Sequence, residues 1–184
     1  PEVSVDFSVE GAYSIYNWEL FFHAPLYIAT RLSKNGKYAE AMRWFHYIFD
    51  PTTDEPVVTG VNENMRFWKV KPFREEGKQS FDAWLEQLTD AGNVVRSMDN
   101  PFKPHLIARD RPIAYMKNVV LKYVDNLLAW GDELFRRDTM ESINEAIQLY
   151  IIAAHILGKK PQPLSERGKI AVESFATLRP KLDS

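Results

Sequence analysis

The chain has 184 residues, a length that suits one domain able to bury a core of its own. A formal net charge of −2 and a pI near 6.1 give no pull toward nucleic acid or an anionic membrane surface. With no cysteine, a disulfide framework, a thiolate metal site and a thiol nucleophile are excluded, although the compartment is not fixed.

The opening Pro1-Glu2-Val3 carries no start methionine and no secretory signal, so an excised segment or a processed product is expected. Val3, Val5, Phe7 and Val9 alternate with polar residues, the period of a short N-terminal strand. Tyr16 to Ser33 reads as helix. Pro25 lacks an N–H and biases Ala24 away from the helical region, so a kink or two short helices are expected there. Gly36 makes a turn, and Lys37 to Phe49 is the next helix. Tyr38, Met42, Phe45 and Phe49 share one of its faces, with Ala41, Trp44 and Ile48 close by, so most of it should be buried. Asp50-Pro51 ends it.

Residues 50–79 hold Pro51, Pro56, Gly60, Pro72 and Gly77 and read as a long irregular connection, either mobile or pinned to something outside the chain. Ser80 caps a helix that runs to Met98 with Phe81, Trp84, Leu88, Ala91 and Val95 on its face. Asn100-Pro101 stops it, and a short turn surrounds Pro104–Ala108. Pro112 suits the first position of a helix. Ile113, Met116, Val120, Tyr123, Leu127, Trp130 and Leu134 then step by three and four, making a rod of roughly 35 Å. Asp138 and Glu141 resemble a capping box, and Ile143, Ile147, Tyr150, Ala154 and Leu157 form the expected face of the following helix. Gly158 closes it, Pro161 and Pro163 make a stiff spacer, and Ser165 caps a last helix through Ala171, Phe175 and Leu178.

The fold class expected is therefore all-α: a bundle of antiparallel helical hairpins with one long irregular insertion and a short N-terminal strand. One domain, 1–184, would comprise a first hairpin (10–50), the connection (50–79), long helices (80–160) and a spacer with a C-terminal helix (161–184). Leu32–Phe49 and Leu134–Ala154 echo each other, both placing Glu-Ala before a bulky pair (Glu40-Ala41, Glu145-Ala146). This is reminiscent of tetratricopeptide-like hairpins, but two copies make no tandem array. The longest apolar run, Ala146 to Leu157, is too short to span a membrane.

Chemistry-bearing patterns are sparse. His23, His46, His105 and His155 form no pair three or four residues apart, so a metal-dependent hydrolase would need ligands gathered from distant segments. Asp50, Asp54 and Glu55 lack the spacing and glycine of a calcium loop and read as a solvated acidic turn. No nucleophile elbow, phosphate loop or dinucleotide fingerprint is present. Arg66, Phe67, Trp68, Lys69, Lys71, Phe73 and Arg74 interleave basic and aromatic residues. Without a wider basic face, that pattern fits anchors pinning a loop better than nucleic-acid stacking.

Five runs carry a family resemblance. They are Tyr16-Asn17-Trp18-Glu19-Leu20-Phe21-Phe22-His23-Ala24-Pro25-Leu26, Arg43-Trp44-Phe45-His46-Tyr47-Ile48-Phe49-Asp50-Pro51, and Phe67-Trp68-Lys69 with Lys71-Pro72-Phe73. Ile107-Ala108-Arg109 with Arg111-Pro112-Ile113-Ala114-Tyr115-Met116-Lys117 follows, and the most specific run extends from Tyr123 through Trp130-Gly131-Asp132 to Glu145-Ala146. Together, over most of residues 11–160, they resemble the A subunits of bacterial Tc insecticidal toxin complexes. The matching stretch there is the α-helical shell between a neuraminidase-like β domain and the linker and pore-forming helices. The resemblance implies a secreted, pore-forming, toxin-translocating subunit of a homo-pentamer. Its partners would be the other domains of the same subunit, the neighbouring protomers and, through other domains, the B–C component. It implies no cofactor, no metal, no nucleic acid, no catalytic residue and no membrane span in this stretch, which is expected to be non-enzymatic. Such a shell would open on a trigger such as pH, and His23, His46 and Trp68 are the candidate interface or pH-responsive residues. A tetratricopeptide-like interaction module is the alternative.

Overall fold

A computed structural model describes residues 5–8, 11–56, 63–76 and 112–160, and over these the chain is all-α. The first helical rod begins as α1 (Ser14–Trp18), widens into a π-helical turn at Glu19–His23, and continues as α2 (Ala24–Lys34). Pro25 explains the widening. It has no N–H to close an α-type hydrogen bond to the Phe21 carbonyl, and its ring would press on that carbonyl. One extra residue in the turn relieves the clash without breaking the rod. The expected disruption is thus a bulge just before the proline.

Gly36, at φ +73°, ends α2 in a Schellman arrangement. The Lys37 N–H donates to the Leu32 carbonyl and the Gly36 N–H to that of Ser33, both at 3.0 Å. The chain returns as α3 (Tyr38–Phe45), which packs on α2. This helix stops four residues before the expected Phe49. Tertiary pairing wins there: Phe49 leaves the helix to form an isolated antiparallel bridge with Trp68. The Asp50 N–H donates to the Phe67 carbonyl at 2.8 Å, and the Lys69 N–H to that of Ile48 at 2.9 Å.

Residues 63–76 are not irregular. They form a 3₁₀ turn (Glu63–Phe67) and a short α4 (Lys71–Glu76), with Trp68, Val70 and Phe73 buried in this chain's own core. Within 50–79, residues 57–62 and 77–79 lie outside the described residues.

Helix α5 (Pro112–Arg136) begins at its proline as expected and runs 25 residues, about 37 Å. Packed against α2, α3 and α4, and against α6 (Met140–Leu157), it buries a broad stripe that includes Val119, Tyr123, Val124, Leu127, Gly131 and Leu134. Ile113, Met116, Val120 and Trp130 of the expected stripe are only half-buried. The α5–α6 turn places Asp138 at φ 53°, a left-handed conformation that short polar side chains tolerate. The cap therefore falls on Thr139: its hydroxyl accepts from the Ser142 N–H and the Ser142 hydroxyl from the Thr139 N–H, both at 3.2 Å. This corrects the expected Asp138–Glu141 box by one residue.

Helix α6 also turns a different face inward. Ser142, Ala146, Leu149 and Ala153 are buried, whereas Ile147, Ala154 and Leu157 of the expected face are exposed and Ile143 and Tyr150 half-buried. Close approach of α5 decides the matter. A Cβ on Gly131 would lie 2.7 Å from the Tyr150 ring, so the ring rests on bare backbone and small residues take the seam.

No strand forms at 5–8, and Val3 and Val9 lie outside the described residues. The available carbonyls serve side chains instead: Asn17 Nδ2 donates to Asp6 at 2.7 Å and Trp18 Nε1 to Phe7 at 3.3 Å. The expected helices Ser80–Met98 and Ser165–Leu178 and the turn at Pro104–Ala108 also fall outside the described residues.

Candidate functional site

The most chemically loaded place is the junction where the end of α3, the connection and the middle of α5 meet. Phe45 and Phe49 both set their rings edge-on to Tyr123, at 5.7 and 5.8 Å between centroids. Trp68 packs on Phe49 at 4.8 Å and on Phe73 at 5.3 Å. Such pairs contribute about 0.5–1.5 kcal/mol each beyond their burial, and their geometry permits few alternatives.

Polar groups are threaded through these rings. His46 stacks on Tyr123 and its Nε2 lies 3.2 Å from the Tyr123 hydroxyl, while Nδ1 faces Asp50 Oδ1 at 3.8 Å. That second separation is too long for a hydrogen bond. Burial lowers the His46 pKa from its ordinary value, and the Lys69 charge adds to this. Asp50 pulls the other way, but burial is the larger influence; its Oδ1 accepts from the Thr52 N–H at 3.0 Å and the Thr52 hydroxyl at 2.7 Å. For Asp50, burial pushes the carboxyl up, but the Thr52 bonds with the His46 and Lys69 charges leave it below the ordinary range. Burial raises the Tyr123 phenol well above its usual value, so it stays protonated.

A second tie flanks the first. Lys69 Nζ donates to Glu55 Oε1 at 2.7 Å and to the Thr53 hydroxyl at 3.0 Å, and Arg74 pairs with Glu55 Oε2. The hydrogen bond from Lys69, aided by Arg74, holds the Glu55 carboxyl below its usual range. On the far side, buried Asn126 donates from Nδ2 to the Tyr38 carbonyl at 3.2 Å, fastening α5 to the start of α3.

No protein-family model matches the sequence. It is 29% identical over 155 residues to "Toxin subunit YenA2" of Yersinia entomophaga, covering 83% of this chain and 10% of that protein. Among solved structures, the cryo-EM structure of Morganella morganii TcdA4 matches with a TM-score of 0.63 and 30% identity, over 89% of this chain and 6% of that one. The cryo-EM structure of Yersinia pseudotuberculosis TcaA-TcaB matches with a TM-score of 0.60 and 25% identity, over 85% of this chain and 8% of that one. The chain is a Tc toxin A-subunit-like segment. It spans about a tenth of the curated relative's length.

In this Tc-toxin-like segment the three candidate residues divide between two neighbouring nests. His46 and Trp68 meet at the junction through Phe49 and Tyr123. His23 sits half-buried among Trp18, Phe22 and Tyr115, with ring separations of 6.4, 4.9 and 5.7 Å. Phe73 bridges the nests, touching Phe22 at 5.2 Å and Trp68 at 5.3 Å. Trp68 is 5% exposed, its ring packed between Phe49 and Phe73. His155 is exposed on α6, and His105 lies outside the described residues. Among the described residues no group of three or more His, Cys, Asp or Glu could hold a metal ion, and no helix is long and apolar enough to cross a membrane. In the basic–aromatic run Trp68 and Phe73 are buried and Lys71 is exposed, while Lys69 and Arg74 are held by Glu55 and Arg66 lies over Phe67 at 4.9 Å. From sequence, Tyr123 reads only as a core-stripe residue and Glu55 only as part of a solvated acidic turn, neither as a site residue. Tyr123 had a usable signal, since a phenol in a core stripe needs a hydrogen-bond partner. Glu55 had none.

Proposed function

We propose that this segment is a non-enzymatic structural wall piece of a large secreted, pore-forming, toxin-translocating subunit. One observation carries the reading: the fold matches TcdA4 over 89% of this chain yet covers only 6% of that protein, as a component embedded in a much larger subunit would. The construction supports it. Aromatic rings interlock between α1, its π-helical turn, α4 and α5, and between the end of α3, the connection and α5, and His46, Glu55 and Asn126 fasten neighbouring segments together. Its partners are then the rest of its own subunit, neighbouring protomers of a homo-pentamer and, through other domains, a B–C component. No observation in the described residues favours the tetratricopeptide-like peptide-binding alternative.

The test uses the full-length subunit that contains this sequence. Electron microscopy should show a pentamer, and planar lipid bilayers should show conductance after triggering. A monomeric subunit that never conducts, whatever the pH, would overturn the reading.

A further inference from the structure

We propose that an apolar groove along one flank of the α5–α6 hairpin is the docking site of residues 164–178, laid in it as a helix antiparallel to α6. On α5, Leu121, Leu128 and Phe135 recur every seven residues and are between 38% and 55% exposed. That interval returns to nearly the same face, so they form one row. Asp132 lies one turn from both Leu128 and Phe135. On α6, Ile147 and Ile151 form a second exposed row, and Tyr150 shares their flank. The Tyr150 hydroxyl donates to Asp132 Oδ1 at 2.7 Å. That bond joins the two flanks, so both rows border one groove, with the Tyr150 ring resting on Gly131 at its floor.

Two apolar walls fit the face of one more helix, and the chain itself carries one. Residues 161–184 lie outside the described residues. Their sequence sets Leu164, Ala171, Phe175 and Leu178 on a single helical face, with Ser165 as the cap. Gly158, at φ +74°, ends α6, and only residues 159–163 separate it from Leu164. A connection that short favours an antiparallel neighbour. At equal rise per residue, Phe175 then comes level with Ile147 and Ala171 with Ile151. The ends match in charge as well. Arg179 and Lys181 fall beside Glu141 and Glu145 at the start of α6, and Glu166 beside His155 and Lys159 at its end.

Tethering favours this occupant over a second copy of the chain. A short link holds the segment at an effective concentration of about millimolar, above that of free chains at working dilution. Docking takes both rows out of water and closes the small-residue seam with a third helix. The arrangement concerns the chain's own packing and holds whether or not the segment belongs to a toxin.

The chain has no cysteine, so a single introduced thiol reports its own surroundings. In the 184-residue chain, the thiol placed by Ile151→Cys should react with iodoacetamide at least about tenfold more slowly than the one placed by Ile152→Cys, on the other flank of α6. Adding Phe175→Asp should abolish the difference. Equal rates, or a slow Ile151→Cys thiol that Phe175→Asp leaves slow, would overturn the proposal. Protection that rises with chain concentration would also overturn it and give the groove to a second copy. If Phe175→Asp does not fold, nuclear Overhauser contacts in the unsubstituted chain decide: contacts of the Phe175 ring with the Ile147 or Ile151 methyls sustain the docking, and their absence overturns it.

Discussion

The α3–connection–α5 junction and the α5–α6 hairpin solve the same packing problem with opposite materials. At the junction, Phe45, Phe49, Trp68, Phe73 and Tyr123 meet ring to edge, and His46, Asn126 and Glu55 supply cross-links. In the hairpin, Gly131, Ala146 and Ala153 let two helices approach, and a single Tyr150–Asp132 hydrogen bond of 2.7 Å adds the polar contact. Bulky rings with polar ties admit one arrangement. A seam of small residues depends on closeness and leaves larger apolar side chains, such as Ile147 and Ile151 at 44% exposure each, facing outward.

The comparison breaks first at its strongest point. Phe45→Ala, with the ring 1% exposed, should cost about 3–5 kcal/mol in chemical denaturation, and a cost under about 1 kcal/mol would mean the junction is loosely packed. In the hairpin the sensitive change is an addition. Gly131→Ala should cost about 1–2 kcal/mol, because overpacking against the Tyr150 ring outweighs alanine's better helix propensity. Combining it with Tyr150→Ala should remove that penalty, and a double-mutant cycle with no coupling would refute the close-approach account. Thr139→Ala removes the α6 cap and should lower stability by about 1 kcal/mol, read from the shift in urea midpoint. The smallest effect belongs to the outward face away from the hairpin groove. Ile152→Gln should change stability by less than about 0.5 kcal/mol, and a loss near 2 kcal/mol would show that this face is covered in the isolated chain.

What was legible in the sequence follows the same division. Local punctuation read correctly: Gly36, Pro112 and Gly158 mark their boundaries because each acts through its own backbone. Features set by distant partners did not. Phe49 looks like a helix residue until Trp68 arrives to pair with it. Helix α6 is apolar nearly all round between Ala146 and Leu157, so periodicity could not choose its inner face, and the glycine on α5 chose instead. The strand pattern around Phe7 was real as a pattern, but Trp18 and Asn17 took the carbonyls that a neighbouring strand would have used. At the candidate site, His46 and Trp68 were flagged by their aromatic surroundings. Their partners were hidden because they lie 77 and 19 residues away, at Tyr123 and Phe49.

The widened turn ahead of Pro25 has a consequence for how this rod tolerates changes in length. It stores one residue more than the α-helical winding on either side. Phe22, inside it, and Trp18, before it, both point into the core while Leu26 and Ala29 do the same beyond it. Removing the surplus residue would let the rod anneal into uniform winding, but everything upstream would then swing by about 100° about the axis. Trp18 would face water, and the nest it shares with Phe7, Phe73 and Tyr115 would lose its hub. The bulge thus acts as a phase adjuster, and the proline that forces it keeps the two halves of the rod in step.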